Sequence, residues 1–164
     1  MSRHRLPVVY LLLVLAVSSL HAGELVPFRG SWEGSTVSAT ESSPGVVLVV
    51  SDGEGEATHL GRYFMSSPHF TYLATGMVEG EQNFTAANGD ILNATFSGQL
   101  VPRADGCLEG TLPATITGGT GRFADATGSY DFHIVACPGL PGPAGPTFDS
   151  VATIDGWVSS PGGN

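Results

Sequence analysis

The segment between Cys107 and Cys137 has the residue pattern of a β-hairpin. From residue 108 to residue 117, small or apolar residues alternate with polar residues and one proline. The alternation resumes at residues 130–136, after the glycine-rich stretch 118–128. Successive side chains of a strand point to opposite faces, so each run buries one apolar row. The pattern therefore predicts two antiparallel strands joined by the glycine-rich stretch.

The N-terminal 22 residues have the pattern of a cleaved secretory signal. Arg3 and Arg5 give a positive start, an unbroken apolar stretch follows at residues 8–17, and small residues lead to Ala22. The alternative is a membrane anchor, but an apolar run of about 10 to 13 residues is shorter than the ~20 that a spanning helix needs. We expect cleavage after Ala22, which leaves residues 23–164 as one domain outside the cytoplasm, extracellular or periplasmic, with no membrane span.

The two cysteines are predicted to form one disulfide. Two cysteines in an exported chain indicate such a bond, and a hairpin register that sets Ile116 opposite Gly128 also sets Cys107 opposite Cys137. Free buried thiols and pairing between chains are the alternatives. The two residues do not have the Cys-x-x-Cys spacing of redox or metal motifs.

Alternating patterns continue through the rest of the exported portion, without a convincing helix. Strands are predicted at residues 28–35, 46–50, 57–65, 72–84, 91–101 and 148–158. Tight turns are expected at residues 51–53 and 87–90, because Asn, Asp and Gly tolerate positive φ. The proline- and glycine-rich segment 138–147 is predicted to be a polyproline-like surface loop. About eight strands with short turns predict an all-β fold, a single closed antiparallel β-barrel, with a β-sandwich as the alternative.

The run from Ile116 to Tyr130, with the pattern Gly-Gly-Thr-Gly-x-Phe…Ala-x-Gly, resembles a hairpin of dirigent proteins. The related plant allene oxide cyclases share the eight-stranded barrel. Residues 55–61 and 85–90 resemble small exported bacterial proteins of the same superfamily. The resemblance implies a barrel whose apolar interior could hold a small hydrophobic molecule. It transfers no catalytic residue, because the acidic residues of those families lie in motifs that do not align here.

Few residues are candidates for chemistry. Residues 118–124 have the G-x-x-G-x-x-A spacing of a dinucleotide loop, but such a loop must open a helix, and here a strand follows. Glu54, Glu56 and His59 are the densest potential metal ligands, yet alternation prevents all three from projecting together. No Gly-x-Ser-x-Gly elbow is present. We expect no catalytic residues, no metal and no cofactor.

Charge narrows the range of partners. The chain has 15 Asp and Glu against 6 Lys and Arg, and a formal net charge of −9. Proteins that bind the phosphate backbone use clustered Lys and Arg, so no nucleic-acid partner is expected. The acidity favours solubility outside the cytoplasm.

The leading interpretation is a secreted, non-catalytic barrel that binds a small hydrophobic ligand or acts as an extracellular structural or interaction module. The candidate cavity-lining residues are Phe28, Trp32, Phe96, Leu100, Leu108, Leu112, Ile116, Tyr130, Phe132 and Ile154. Such side chains either fill an eight-stranded barrel or leave a cavity. The alternative is a cyclase or isomerase acting inside the barrel, which predicts a buried acid or histidine with a perturbed pKa. The oligomeric state stays open.

Overall fold

The computed structural model describes residues 23–142 and 146–159, which form strands, turns and one short 3-10 turn at Gly121–Phe123. The strands are β1 (Leu25–Ser43), β2 (Val46–Ala57), β3 (Gly61–Tyr72), β4 (Met77–Ala86), β5 (Ile91–Gln99), β6 (Val101–Pro102), β7 (Leu108–Gly119), β8 (Gly128–Pro138) and β9 (Phe148–Ser159). The predicted signal peptide, residues 1–22, lies outside the described residues, as do residues 143–145 of the predicted surface loop.

The strands form one closed antiparallel barrel. Strands β1 to β5 pair in chain order, β5 pairs with β7, and β7, β8 and β9 pair in turn. Strand β9 then pairs along nearly all of its own length with the first part of β1. This pairing closes the wall and removes the open edges that favour aggregation. The two-residue strand β6 extends the line of β5 along β7. The eight-stranded barrel is confirmed, and the sandwich alternative is wrong.

The β7–β8 hairpin has the predicted register. Ile116 lies opposite Gly128, and Cys107 forms a disulfide with Cys137 at the other end of the hairpin. Phe123, in the glycine-rich connection, is fully buried against the barrel core. The glycine-rich stretch therefore folds a bulky side chain back over the end of the barrel.

Three local predictions are wrong. Residues 51–53 lie inside the continuous strand β2, because Gly53 faces the β1 backbone so closely that a Cβ would overlap the carbonyl oxygen of Glu33. The predicted strand 57–65 is interrupted by a turn at residues 58–60, where His59 has a φ of 66°. The predicted strand 72–84 is likewise interrupted by a turn at residues 73–76, which ends in Gly76 with a φ of 69°.

The two ends of the barrel differ in how they are covered. The closed end carries the β2–β3, β4–β5 and β7–β8 turns, and three residues of these turns, Leu60, Phe123 and Ala126, are buried against the core. At the other end, which we call the disulfide end, inward residues such as Leu100 and Ile134 are only partly buried. Access to the interior is therefore expected from the disulfide end.

Candidate functional site

Aromatic side chains fill the half of the barrel next to the closed end. The Phe28 and Tyr130 rings meet edge to face with centroids 5.3 Å apart, and the Tyr63 and Phe84 rings do so at 5.2 Å. Such contacts add about 0.5–1.5 kcal/mol each beyond burial of their area. This half is a packed aromatic core.

The interior opens into a small cavity in the other half, toward the disulfide end. Its volume is about 40 Å³, enough for a few water molecules or one small functional group and well below the roughly 300–1,000 Å³ of drug-sized ligand sites. Its wall is mainly apolar with four polar side chains; the lining residues are Trp32, Ser51, Met65, Ser67, His69, Val78, Gln82, Phe96, Leu100, Leu112, Phe132 and Ile134.

Trp32, one of the residues that line this cavity, has an unpaired donor. Its side chain is 1% exposed, and its indole Nε1 has no hydrogen-bond partner among the described residues. Gly34 makes room for the indole, because a Cβ there would overlap the six-membered ring of Trp32. A buried N–H without an acceptor costs about 1–3 kcal/mol. An acceptor atom that came within reach of the indole N–H would therefore be stabilised.

His69 lies on the same wall and is half-buried. Its Nδ1 is 3.0 Å from the backbone oxygen of Ser67, and its ring lies 5.9 Å from that of Phe96. Donation to a carbonyl oxygen places the proton on Nδ1 and leaves Nε2 as an acceptor. Burial lowers the pKa of His69, which the hydrogen bond to Ser67 only partly offsets. The neutral imidazole is the favoured form at neutral pH.

Gln82 and two tyrosines connect the cavity to the packed half. The Tyr130 hydroxyl donates to Gln82 Oε1 at 2.5 Å, and the Tyr63 hydroxyl donates to the Ser31 carbonyl oxygen at 2.9 Å. Burial raises the pKa of Tyr63 and of Tyr130 above the ordinary tyrosine value, so both hydroxyls stay protonated donors. Gln82 is 1% exposed, which makes this a buried polar link inside an apolar core.

The ten candidate cavity-lining residues separate into two groups. All are buried except Leu100 and Leu108, which are half-buried. The structure brings five of them to the cavity: Trp32, Phe96, Leu100, Leu112 and Phe132. Phe28, Ile116, Tyr130 and Ile154 belong to the packed core, and Leu108 lies in neither group. Sequence reasoning missed His69, although Tyr63, Met65 and Ser67 precede it at every second position and share its face.

The remaining candidates lie on the outside. Glu56 and His59 are exposed, and Glu54 is 3.9 Å from Arg62 in a surface ion pair. His133 is exposed, with its Nδ1 2.8 Å from Thr111 Oγ1. None of the Asp and Glu residues in the described ranges lines the interior cavity.

Several open grooves on the outer wall exceed the interior cavity in volume. One of about 670 Å³ crosses β1, β9, β8 and β7, where Val135 and Val151 lie directly opposite each other. A second of about 440 Å³ lies beside the exposed Trp157 on the same four strands. The outer wall therefore offers larger concave surfaces than the interior does.

Within the ranges that the structure describes, no helix has the length and hydropathy of a membrane-spanning segment.

Comparisons with known proteins give one structural similarity. No protein-family model and no curated protein sequence matches the chain. Among solved structures, the chain is similar to a pterocarpan synthase dirigent protein, with 11% sequence identity, a TM-score of 0.39, and coverage of 86% of this chain and 88% of that chain. At this level the similarity supports no conclusion about activity, and the barrel architecture rests on the strand pairings described above.

Proposed function

We propose that this protein is an exported barrel that binds a small, mainly apolar molecule at the disulfide end without transforming it. The ligand places one hydrogen-bond acceptor in the interior cavity and keeps its apolar body at the mouth, beside the partly buried Leu100 and Ile134. Export is supported by the N-terminal pattern, and by the disulfide, which persists in oxidising compartments. The observation that carries the proposal is the mainly apolar interior cavity, whose lining residues include Trp32 with its buried, unpaired indole Nε1.

The size and polarity of the cavity limit the ligand. A volume of about 40 Å³ admits a carbonyl or hydroxyl group but not a complete hydrophobic molecule. Trp32 Nε1 supplies a donor, while the hydroxyls of Ser51 and Ser67 both donate and accept. An apolar molecule without any polar group would leave the indole N–H unpaired, so it should bind less tightly.

The experiment follows the indole N–H of Trp32 by ¹H–¹⁵N NMR. The chain contains two tryptophans, and the Trp157→Phe variant leaves Trp32 as the single indole signal. Acetophenone and ethylbenzene serve as probes, because they share the ring and differ in the carbonyl acceptor. We expect acetophenone to shift the Trp32 signal saturably and ethylbenzene to shift it much less. Equal effects of the two probes, or none from either, would contradict the proposal; no effect would favour a purely structural role.

A second candidate function is a cyclase or isomerase, which the position of His69 favours. A neutral, half-buried imidazole in an apolar wall is suited to accept a proton through Nε2. Its ligand would be converted rather than retained. Native mass spectrometry of protein from its own host separates the two candidates, since a binding protein keeps its ligand unchanged.

A further inference from the structure

The outer wall carries an exposed tryptophan among polar side chains, away from the interior. Trp157 is 51% exposed on the outer face of β9 and borders the groove of about 440 Å³. Its cross-strand neighbours are Ser129 on β8 and Pro27 on β1, and Thr115 on β7 lies one strand beyond Ser129. Large aromatic side chains on a wet, polar surface are typical of recognition sites.

The next row of the same groove contains two carboxylates directly opposite each other. Asp155 on β9 pairs in register with Asp131 on β8, and like charges so placed destabilise a sheet. Arg29 Nε lies 3.1 Å from Asp155 Oδ1 in an exposed ion pair, which only partly offsets that charge. Asp131 makes no ion pair or side-chain hydrogen bond with the residues that the structure describes. Its carboxylate does not contribute to the fold by such contacts and stays open to a donor from outside.

The chemistry of the groove limits the ligands that it can bind. Asp131 and Asp155 against the single Arg29 leave a net negative charge, which disfavours an anion, and the carboxylates and hydroxyls disfavour a purely apolar molecule. A neutral ligand that carries many hydroxyl groups and has one flat apolar face satisfies every group. Its hydroxyls donate to Asp131 and Asp155 and accept from Arg29, while its C–H face lies against the indole of Trp157.

We propose that this groove, formed by Arg29, Thr115, Ser129, Asp131, Asp155 and Trp157, binds a neutral saccharide. A pyranose ring has both the hydroxyl pattern and the apolar C–H face that the groove requires. The site is independent of the interior cavity, because Trp157 points outward and Trp32 inward. Binding to one site should leave the other intact.

The test uses the full exported chain with named saccharides. Retention on insoluble cellulose, xylan and chitin is measured by sedimentation, and binding of cellohexaose, xylohexaose and chitohexaose by calorimetry, so that polymer and free sugar are distinguished. We expect measurable binding to at least one of these neutral sugars. Absence of binding to all six overturns the proposal.

The variants locate the binding. Trp157→Ala and Asp131→Ala should each weaken the affinity for the bound sugar by about tenfold or more. Phe64→Ala is the matched control, because Phe64 is also an exposed aromatic residue, 44% exposed, but lies on β3 outside the groove. Thermal melts show that each variant is folded. Affinity that is unchanged in Trp157→Ala or lost in Phe64→Ala contradicts the assignment.

Discussion

The hydroxyl of Tyr130 donates a hydrogen bond to Oε1 of Gln82, although their strands are not neighbours in the wall. Tyr130 is on β8, and Gln82 is on β4, which pairs only with β3 and β5. Both side chains are buried. The bond therefore ties two separated parts of the barrel together through its interior.

Removal of both members of this pair should cost less than the sum of the two single removals. Tyr130→Phe or Gln82→Leu leaves a buried partner unsatisfied, and we expect each to lower the free energy of unfolding by about 1–3 kcal/mol. The double variant should lose less than the sum of the two, because no polar group is stranded. Urea unfolding of all four proteins measures the coupling. Strict additivity would show that the bond is energetically unimportant.

The buried tyrosines should make the protein sensitive to alkali. Burial raises the pKa of Tyr63 and of Tyr130 above the ordinary 10.0, so the unfolded state releases these protons before the folded state does. The contribution of the two protonated tyrosines to the free energy of unfolding is complete below about pH 10 and falls as the pH rises further. Urea unfolding between pH 8 and 11 should show this decline, and Tyr63→Phe should make it shallower. An equal slope in the variant would exclude Tyr63 as a cause.

Protonation of His69 should lower the free energy of unfolding at acidic pH. Its pKa is lowered from 6.5 by burial, so the unfolded state binds the proton first as the pH falls. The contribution of neutral His69 to the free energy of unfolding is fully present above about pH 6.5 and is lost as the pH decreases through the folded-state pKa. The difference in unfolding free energy between the wild type and His69→Gln should therefore change between pH 7 and pH 5. A difference that is constant across this range would contradict the expected titration.

Loss of the disulfide should destabilise the barrel without changing its architecture. Cys107 and Cys137 are separated by 30 positions, and a loop of this length contributes about 3–4 kcal/mol through the entropy of the unfolded chain. The Cys107→Ala/Cys137→Ala variant should unfold at correspondingly lower urea concentration, and the reduced wild type serves as its control. An unchanged midpoint in both would show that hairpin pairing alone restrains the chain.

Asp131→Asn separates stability from binding at the outer groove. The substitution removes the repulsion with Asp155, so we expect a higher melting temperature. It also removes a charged acceptor, so the affinity for the bound saccharide should fall. If the variant is more stable but binds the saccharide less well, Asp131 serves binding at the expense of the stability of the fold. A rise in stability with unchanged affinity would assign Asp131 no role in the groove.

The barrel and its disulfide could be predicted because the relevant signals are local. Alternation along β7 and β8 set the register of Ile116 against Gly128, and the positions of Cys107 and Cys137 followed from it. Residues 51–53 misled because Asp-Gly is favourable in a turn as well as tolerable in a strand. Here the tertiary contact decides: Gly53 packs against the β1 backbone, which no local pattern reveals.

The candidate site was only partly predictable, because local patterns do not reveal tertiary contacts. Alternation places Trp32, Phe96 and His69 on inner faces, but it does not say which inner positions meet a cavity. That depends on how side chains from eight strands fill the space, and the Tyr130–Gln82 bond joins residues 48 positions apart. The outer groove depends on cross-strand register between β8 and β9, which sets Asp131 beside Asp155.

The seam between β1 and β9 has a consequence for how the chain folds. Every other long-strand pairing joins strands that follow one another closely in sequence, whereas Leu25 meets Ser159 from the far ends of the described chain. Pairings between distant segments form slowly, because a large loop must close first. During synthesis, one edge of β1 would stay unpaired until β9 is made. A chain truncated before Phe148 would keep unpaired edges on β1 and β8 and should aggregate.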